Sequence, residues 1–148
     1  MTDFNQNEEL LSELIFALEM SQGDFRLFLA RCNNLTQRDR LIQQFQTSFS
    51  GDLAKLHLDE SVGELYATIC QQLGEQQPDA LMVWGLDSVT DVDKLLVSMG
   101  LVREEFRNNF HFPILLWIDA EISQKFIRLI PDFETWTSLT VFETPTQE

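Results

Sequence analysis

Asp79-Ala-Leu-Met-Val-Trp-Gly-Leu-Asp87 decides the fold: a run of mainly apolar residues ends abruptly in glycine, leucine and a carboxylate. The run is too short for a membrane span and too apolar for a strand with one wet face. It reads as a strand buried on both faces, which requires a parallel sheet covered by helices on each side. Phe112-Pro-Ile-Leu-Leu-Trp-Ile-Asp119 repeats the design, with Pro113 at the strand's start, where a missing N–H donor is tolerated. Both runs stop at an aspartate. In an open α/β sheet the carboxyl ends of the central strands form the crevice where ligands sit, so Asp87 and Asp119 mark the candidate functional edge.

Working outward, Phe25 to Cys32 reads as the first strand and Leu53 to Leu58 as the second. In the latter, Leu56 and Leu58 alternate with Lys55 and His57, the pattern of an edge strand with one wet face. Ser138 to Glu143 completes the sheet. Helical spacing of apolar residues falls between the strands: Leu10, Leu11, Leu14, Ile15 and Leu18; then Leu41, Ile42, Phe45 and Phe49; then Val62, Leu65, Tyr66, Ile69, Cys70 and Leu73. Residues Ser88 to Phe110 predict a loop and one or two short helices interrupted at Ser98-Met-Gly100, with Leu95, Leu96, Leu101, Val102 and Phe106 inward. Ile122, Phe126, Ile127 and Ile130 form the inward stripe of a last helix, which Pro131 stops. Thr36 is placed to cap the helix after the first strand, with Leu35 as a hydrophobic staple and Asp39 favouring the positive helix end. The expected fold is a three-layer α/β sandwich around a five-stranded, mostly parallel sheet with right-handed crossovers.

The 148 residues suffice for one domain, read as residues 9–143, with a disordered polar opening at 1–8 and a tail or linker at 144–148. Acidic residues outnumber basic ones 24 to 10, a formal charge of −14, and the arginines are scattered. Nucleic acid and anionic membranes are therefore not expected partners, since both require clustered cations. Cys32 and Cys70 lack metal-ligand spacing and read as free, buried thiols. No run nears the roughly 18 apolar residues of a membrane span, so a soluble cytoplasmic protein is expected.

The chemistry-bearing motifs are incomplete. A phosphate-cradling loop needs glycines and a lysine after the first strand, but Ala30-Arg-Cys-Asn-Asn-Leu-Thr-Gln-Arg-Asp39 contains neither. Arg31, Asn33 and Thr36 still line up with Asp87 and Asp119 as candidate ligand-binding residues, through free helix N–H donors and arginine charge. Helix capping is the preferred role for both aspartates. A receiver-type phosphoacceptor would need an acidic cluster after the first strand and a lysine after the last, and both are missing. There is no Gly-x-Ser-x-Gly elbow. His57 lies in an edge strand, and His111 lies at the end of the sheet opposite the carboxyl edge. Neither a catalytic residue, a metal nor a cofactor is expected. Trp84 and Trp117 read as core, while Trp136 is a candidate interface residue.

Phe28-Leu-Ala-Arg-Cys-Asn33, Leu86-Asp87 after an apolar strand, Phe112-Pro-Ile-Leu-Leu-Trp-Ile118 and Leu129-Ile-Pro-Asp-Phe133 with Trp136 together resemble the P-loop-like α/β module near the N-terminus of bacterial, especially cyanobacterial, STAND-type and tetratricopeptide-repeat proteins. The resemblance spans roughly Asp24 to Phe142. It implies a strand order in which the fourth strand lies between the first and third and the second lies at an edge. This chain departs from the family's signalling members in lacking the Walker lysine, and in having Thr137 where relatives often carry arginine after the tryptophan. The resemblance thus implies a non-catalytic interaction or regulatory module, whose partner is another protein or an adjoining repeat or effector domain, with self-association as a further option. A nucleotide or small-ligand sensor is the alternative.

Overall fold

The computed structural model describes residues 2–131, 133 and 137–143, and side chains from residue 6 onward. In chain order the elements are α1 (Thr2–Met20), β1 (Arg26–Arg31), α2 (Leu35–Ser48), β2 (Leu53–His57), α3 (Leu65–Leu73), β3 (Ala80–Trp84), a 3-10 turn (Leu86–Ser88), α4 (Val92–Leu101), α5 (Arg103–Asn109), β4 (Pro113–Ile118), α6 (Ala120–Leu129) and β5 (Thr137–Val141). The strands form one sheet in the order β2-β3-β4-β1-β5. Every pairing is parallel, with Leu29 opposite Leu116 and Leu139, and Val83 also opposite Leu116. β4 therefore lies between β1 and β3, and β2 is an edge strand.

The apolar runs are continuous because the central strands are covered twice. All six residues of β4 are buried. Alternation sorts them between two cores. Phe28, Ala30, Ala80, Met82, Leu115 and Trp117 face α1 and α2, where Leu14, Leu18, Leu41 and Phe45 meet them. Leu27, Leu29, Leu81, Val83, Ile114 and Leu116 face the layer built from α3 to α6. The first face is closed at the chain's ends as well. Asn7 of α1 is buried. Its side-chain amide donates to the Glu143 carbonyl (2.8 Å) and accepts from the Glu143 N–H (3.1 Å).

Four local expectations are corrected. Leu101, 81% exposed, and Ile127, 62% exposed, point outward rather than into the core. At about 100° per residue, Leu101 stands across the helix from Leu95, Leu96 and Met99, and Ile127 lies about a third of a turn off the Ile122–Phe126 line. The helix is not interrupted at Ser98-Met99-Gly100, since α4 runs on to Leu101. Gly100 is a contact rather than a break: a Cβ there would lie 2.5 Å from Ile130 Cγ2, so glycine lets α4 approach the end of α6. The α2 cap is Asn34 rather than Thr36, and Leu35 is exposed instead of forming a staple. Cys70 is only half-buried, whereas Cys32 is buried, and both are free thiols.

Candidate functional site

At the carboxyl edge of the sheet, only Cys32, Asn33 and Asn34 separate the end of β1 from the first turn of α2. Cys32 still follows the sheet, donating its N–H to the Ile118 carbonyl (2.8 Å). Asn34 then leaves it in extended geometry, and its side-chain oxygen accepts from Gln37 N–H at 2.8 Å, the bond of a helix N-cap. Asn33 turns the other way, and its Oδ1 accepts from Ala120 N–H at 2.8 Å. Asp119 caps the same helix, its Oδ1 accepting from Ile122 N–H at 2.9 Å. Asn33 and Asp119 thus share the opening donors of α6.

Asp87 is delivered by Gly85, whose φ of +104° bends the chain out of β3 into the 3-10 turn. Its carboxylate accepts from Arg38 Nη1 at 3.3 Å, while Arg38 Nη2 holds Asp39 at 3.0 Å. Arg38 is inward on α2, with its side chain only 14% exposed. Between these groups lies a cleft of about 250 Å³ walled by Cys32, Asn33, Arg38, Asp87, Trp117 and Asp119, among others. Its one cation is opposed by two carboxylates, so the field does not favour an anion.

Of the five candidate residues, Asn33, Asp87 and Asp119 are brought together around this cleft, whereas Arg31 and Thr36 are not among its walls. Arg31 follows Leu27 and Leu29 onto the opposite face of β1. Its Nε is buried with no hydrogen-bond partner among the described residues, as is Trp117 Nε1. Thr36 is exposed in the first turn of α2. Trp136 lies outside the described residues.

The Cys32 thiol donates toward the Asn34 carbonyl and Gln37 Oε1, each at 3.4 Å. Burial pushes its pKa above the ordinary thiol value, against the smaller opposing pull of the Asn34 backbone and the Arg38 charge. Such a thiol is protonated and a poor nucleophile at neutral pH. His57 is exposed and stacks on Trp84 with ring centroids 5.2 Å apart, so Trp84 is half-buried under an imidazole rather than fully in the core. His111 is far from this edge, before β4, where its N–H donates to Gln77 Oε1. Among the described residues, no three His, Cys, Asp or Glu side chains gather as a metal site, and no helix is long and apolar enough to cross a membrane.

Sequence reasoning did not place Trp117 and Cys32 at the cleft, and it read Arg38 only as one of the cations following the first strand, beside Arg31 and Arg40. The Arg38–Asp87 pair joins residues 49 positions apart, and no local pattern announces it. Trp117 was visible only as an inward strand residue. Compared with protein-family models, with curated proteins and with solved structures, the chain matches none.

Proposed function

We propose that this chain is a non-catalytic, P-loop-like α/β domain that acts through protein contacts, as an interaction or regulatory module of a cytoplasmic bacterial signalling or conflict system. Its partner in this reading is another protein or an adjoining repeat or effector domain. The observation that carries the proposal is the closure of the carboxyl edge. The turn of Cys32, Asn33 and Asn34 is too short for the eight-position glycine-rich phosphate loop of P-loop enzymes. The groups that replace it are engaged with one another: Asn34 with Gln37, Asn33 with Ala120, and Arg38 with Asp87. The strand order β2-β3-β4-β1-β5 is the one the family resemblance implies, and it supports a scaffold of that kind.

The sensor alternative rests on the cleft itself, where Asn33, Asp87 and Asp119 converge. Isothermal titration with ATP, GTP and cyclic nucleotides, each with and without magnesium, separates the two readings. The interaction module gives no binding heat. Micromolar binding that Asp87→Ala abolishes would replace it with the sensor.

A further inference from the structure

One face of α1 is not used by the fold. Leu11, Leu14, Ile15 and Leu18 are buried in the core that α1 and α2 build on the sheet. At about 100° per residue, Glu9, Glu13, Phe16 and Met20 fall within about 60° of one another on the side of the helix opposite Leu18. All four are exposed, Phe16 to 63% and Met20 to 70%. With a rise of about 1.5 Å per residue they form a strip about 16 Å long, acidic in its first half and apolar in its second. Glu8, Glu9, Ser12 and Glu13 wall an open depression over the acidic half.

The acidic half gives the helix nothing. Favourable interaction of carboxylates with the helix dipole fades beyond the first turn. Because α1 begins at Thr2, Glu8, Glu9 and Glu13 all stand past that turn. Glu9 and Glu13 also repel each other at i,i+4 spacing. No lysine or arginine lies on α1, and none of the three carboxylates has an ion pair or hydrogen bond among the described residues. The first cation in the chain, Arg26, is engaged with Ser138 of β5 at 3.4 Å and with the Phe28 ring at 5.8 Å. In the apolar half, an aromatic ring and a flexible thioether stand one turn apart, and both residue types are enriched in protein interfaces.

We propose, resting on the interaction-module reading, that this strip docks a basic amphipathic helix of a partner protein. The partner lies along α1, with lysines or arginines over Glu9 and Glu13 and apolar side chains against Phe16 and Met20. Charge complementarity selects this occupant. Carboxylates without counterions, on a chain of net charge −14, attract a cationic segment and repel a second copy, nucleic acid and an anionic membrane alike. The strip also selects the partner's conformation. A helix surface offers no open ladder, so an extended peptide would find no backbone partners there, whereas a helix satisfies its own.

Fluorescence anisotropy of the full chain with a labelled synthetic peptide tests the assignment, the peptide being about 18 leucines and lysines arranged as an amphipathic helix. It should bind with micromolar affinity at low salt and more weakly as salt screens the carboxylates. The same peptide with glutamate in place of lysine should not bind. Phe16→Ala combined with Met20→Ala should weaken binding at least about tenfold. Glu9→Gln combined with Glu13→Gln should weaken it and flatten its salt dependence. Two controls should leave it unchanged: Glu104→Gln with Glu105→Gln, which removes the same charge from α5, and Leu101→Ala, which trims an exposed apolar side chain on α4. All the substituted positions are exposed, so the variants keep the fold. A leucine–lysine peptide that does not bind, equal weakening by the α1 and α5 glutamines, or indifference to the Phe16 and Met20 alanines would each overturn the proposal. So would a dimer in sedimentation equilibrium that Phe16→Ala with Met20→Ala dissociates, since a second copy would then occupy the strip. The interaction-module reading falls separately, to nucleotide binding in its own titration.

Discussion

Replacing Gly85 by alanine tests how the carboxyl edge is assembled. Gly85 combines a φ of +104° with close packing: a Cβ would lie 2.7 Å from the Leu58 carbonyl oxygen, 2.8 Å from His57 Cδ2 and 3.1 Å from the Leu58 nitrogen. Two of these neighbours are backbone atoms, and the Leu58 N–H is already fixed to the Trp84 carbonyl at 2.9 Å, so the contact cannot be relieved by a side-chain rotation. The left-handed conformation costs an L-residue about 1–2 kcal/mol. Forcing a methyl group into a packed site adds about 1–3 kcal/mol. Gly85→Ala should therefore destabilise the fold by about 2–5 kcal/mol. Gly23 provides the internal control, since it has a φ of +92° with nothing within 4 Å of its virtual Cβ. Gly23→Ala should show the conformational part alone. Urea unfolding reads the difference directly as a shift in midpoint at constant slope. If Gly85→Ala proved no more damaging than Gly23→Ala, the close passage of the β3 exit under Leu58 would be refuted, and with it the placement of Asp87 beside Arg38.

Two further outcomes probe the neighbouring turn. Asn34→Ala removes the side-chain bond to Gln37 N–H and should lower stability by about 1 kcal/mol, whereas Thr36→Ala should change it by less than about 0.5 kcal/mol. Thermal unfolding of the pair distinguishes the true cap, and equal losses would reject Asn34 in that role. The second outcome concerns alkaline pH. Because burial raises the Cys32 pKa above 9.0 in the folded chain, the unfolded chain loses that proton first. Its contribution to stability is complete below the ordinary thiol value and is lost as pH rises through the raised folded value. Cys32→Ala should flatten this part of the stability profile, measured as urea midpoints across that window, and an unaltered slope would contradict the assignment.

The architecture was legible because its strongest determinants are local. Ala80 to Trp84 and Pro113 to Ile118 can be covered on both faces only inside a parallel sheet, and Lys55 with His57 identifies the edge. The misreadings arose where one residue type serves several ends. Asn33, Asn34 and Thr36 are all chemically able to cap a helix, and only the position at which the chain leaves β1 selects Asn34 for α2 and Asn33 for α6. Gly100 has the composition of a break but acts as a gap into which Ile130 fits. Ile127 and Leu101 belong to apolar runs, yet helical rotation carries them past the rim of the core. The cleft was legible only in part. Strand ends predicted Asp87 and Asp119, while the Arg38 link to Asp87 depends on tertiary approach across 49 residues.

Glu143 ties the last described strand to the openings of α1 and α2. Its carbonyl is gripped by Asn7 and also by Gln37 Nε2 at 2.8 Å, and Gln37 in turn receives the Cys32 thiol. Glu143 is thereby anchored next to the opening turn of α2, so a strain applied at that anchor would reach Gln37 and Cys32 before it reached the middle of the sheet.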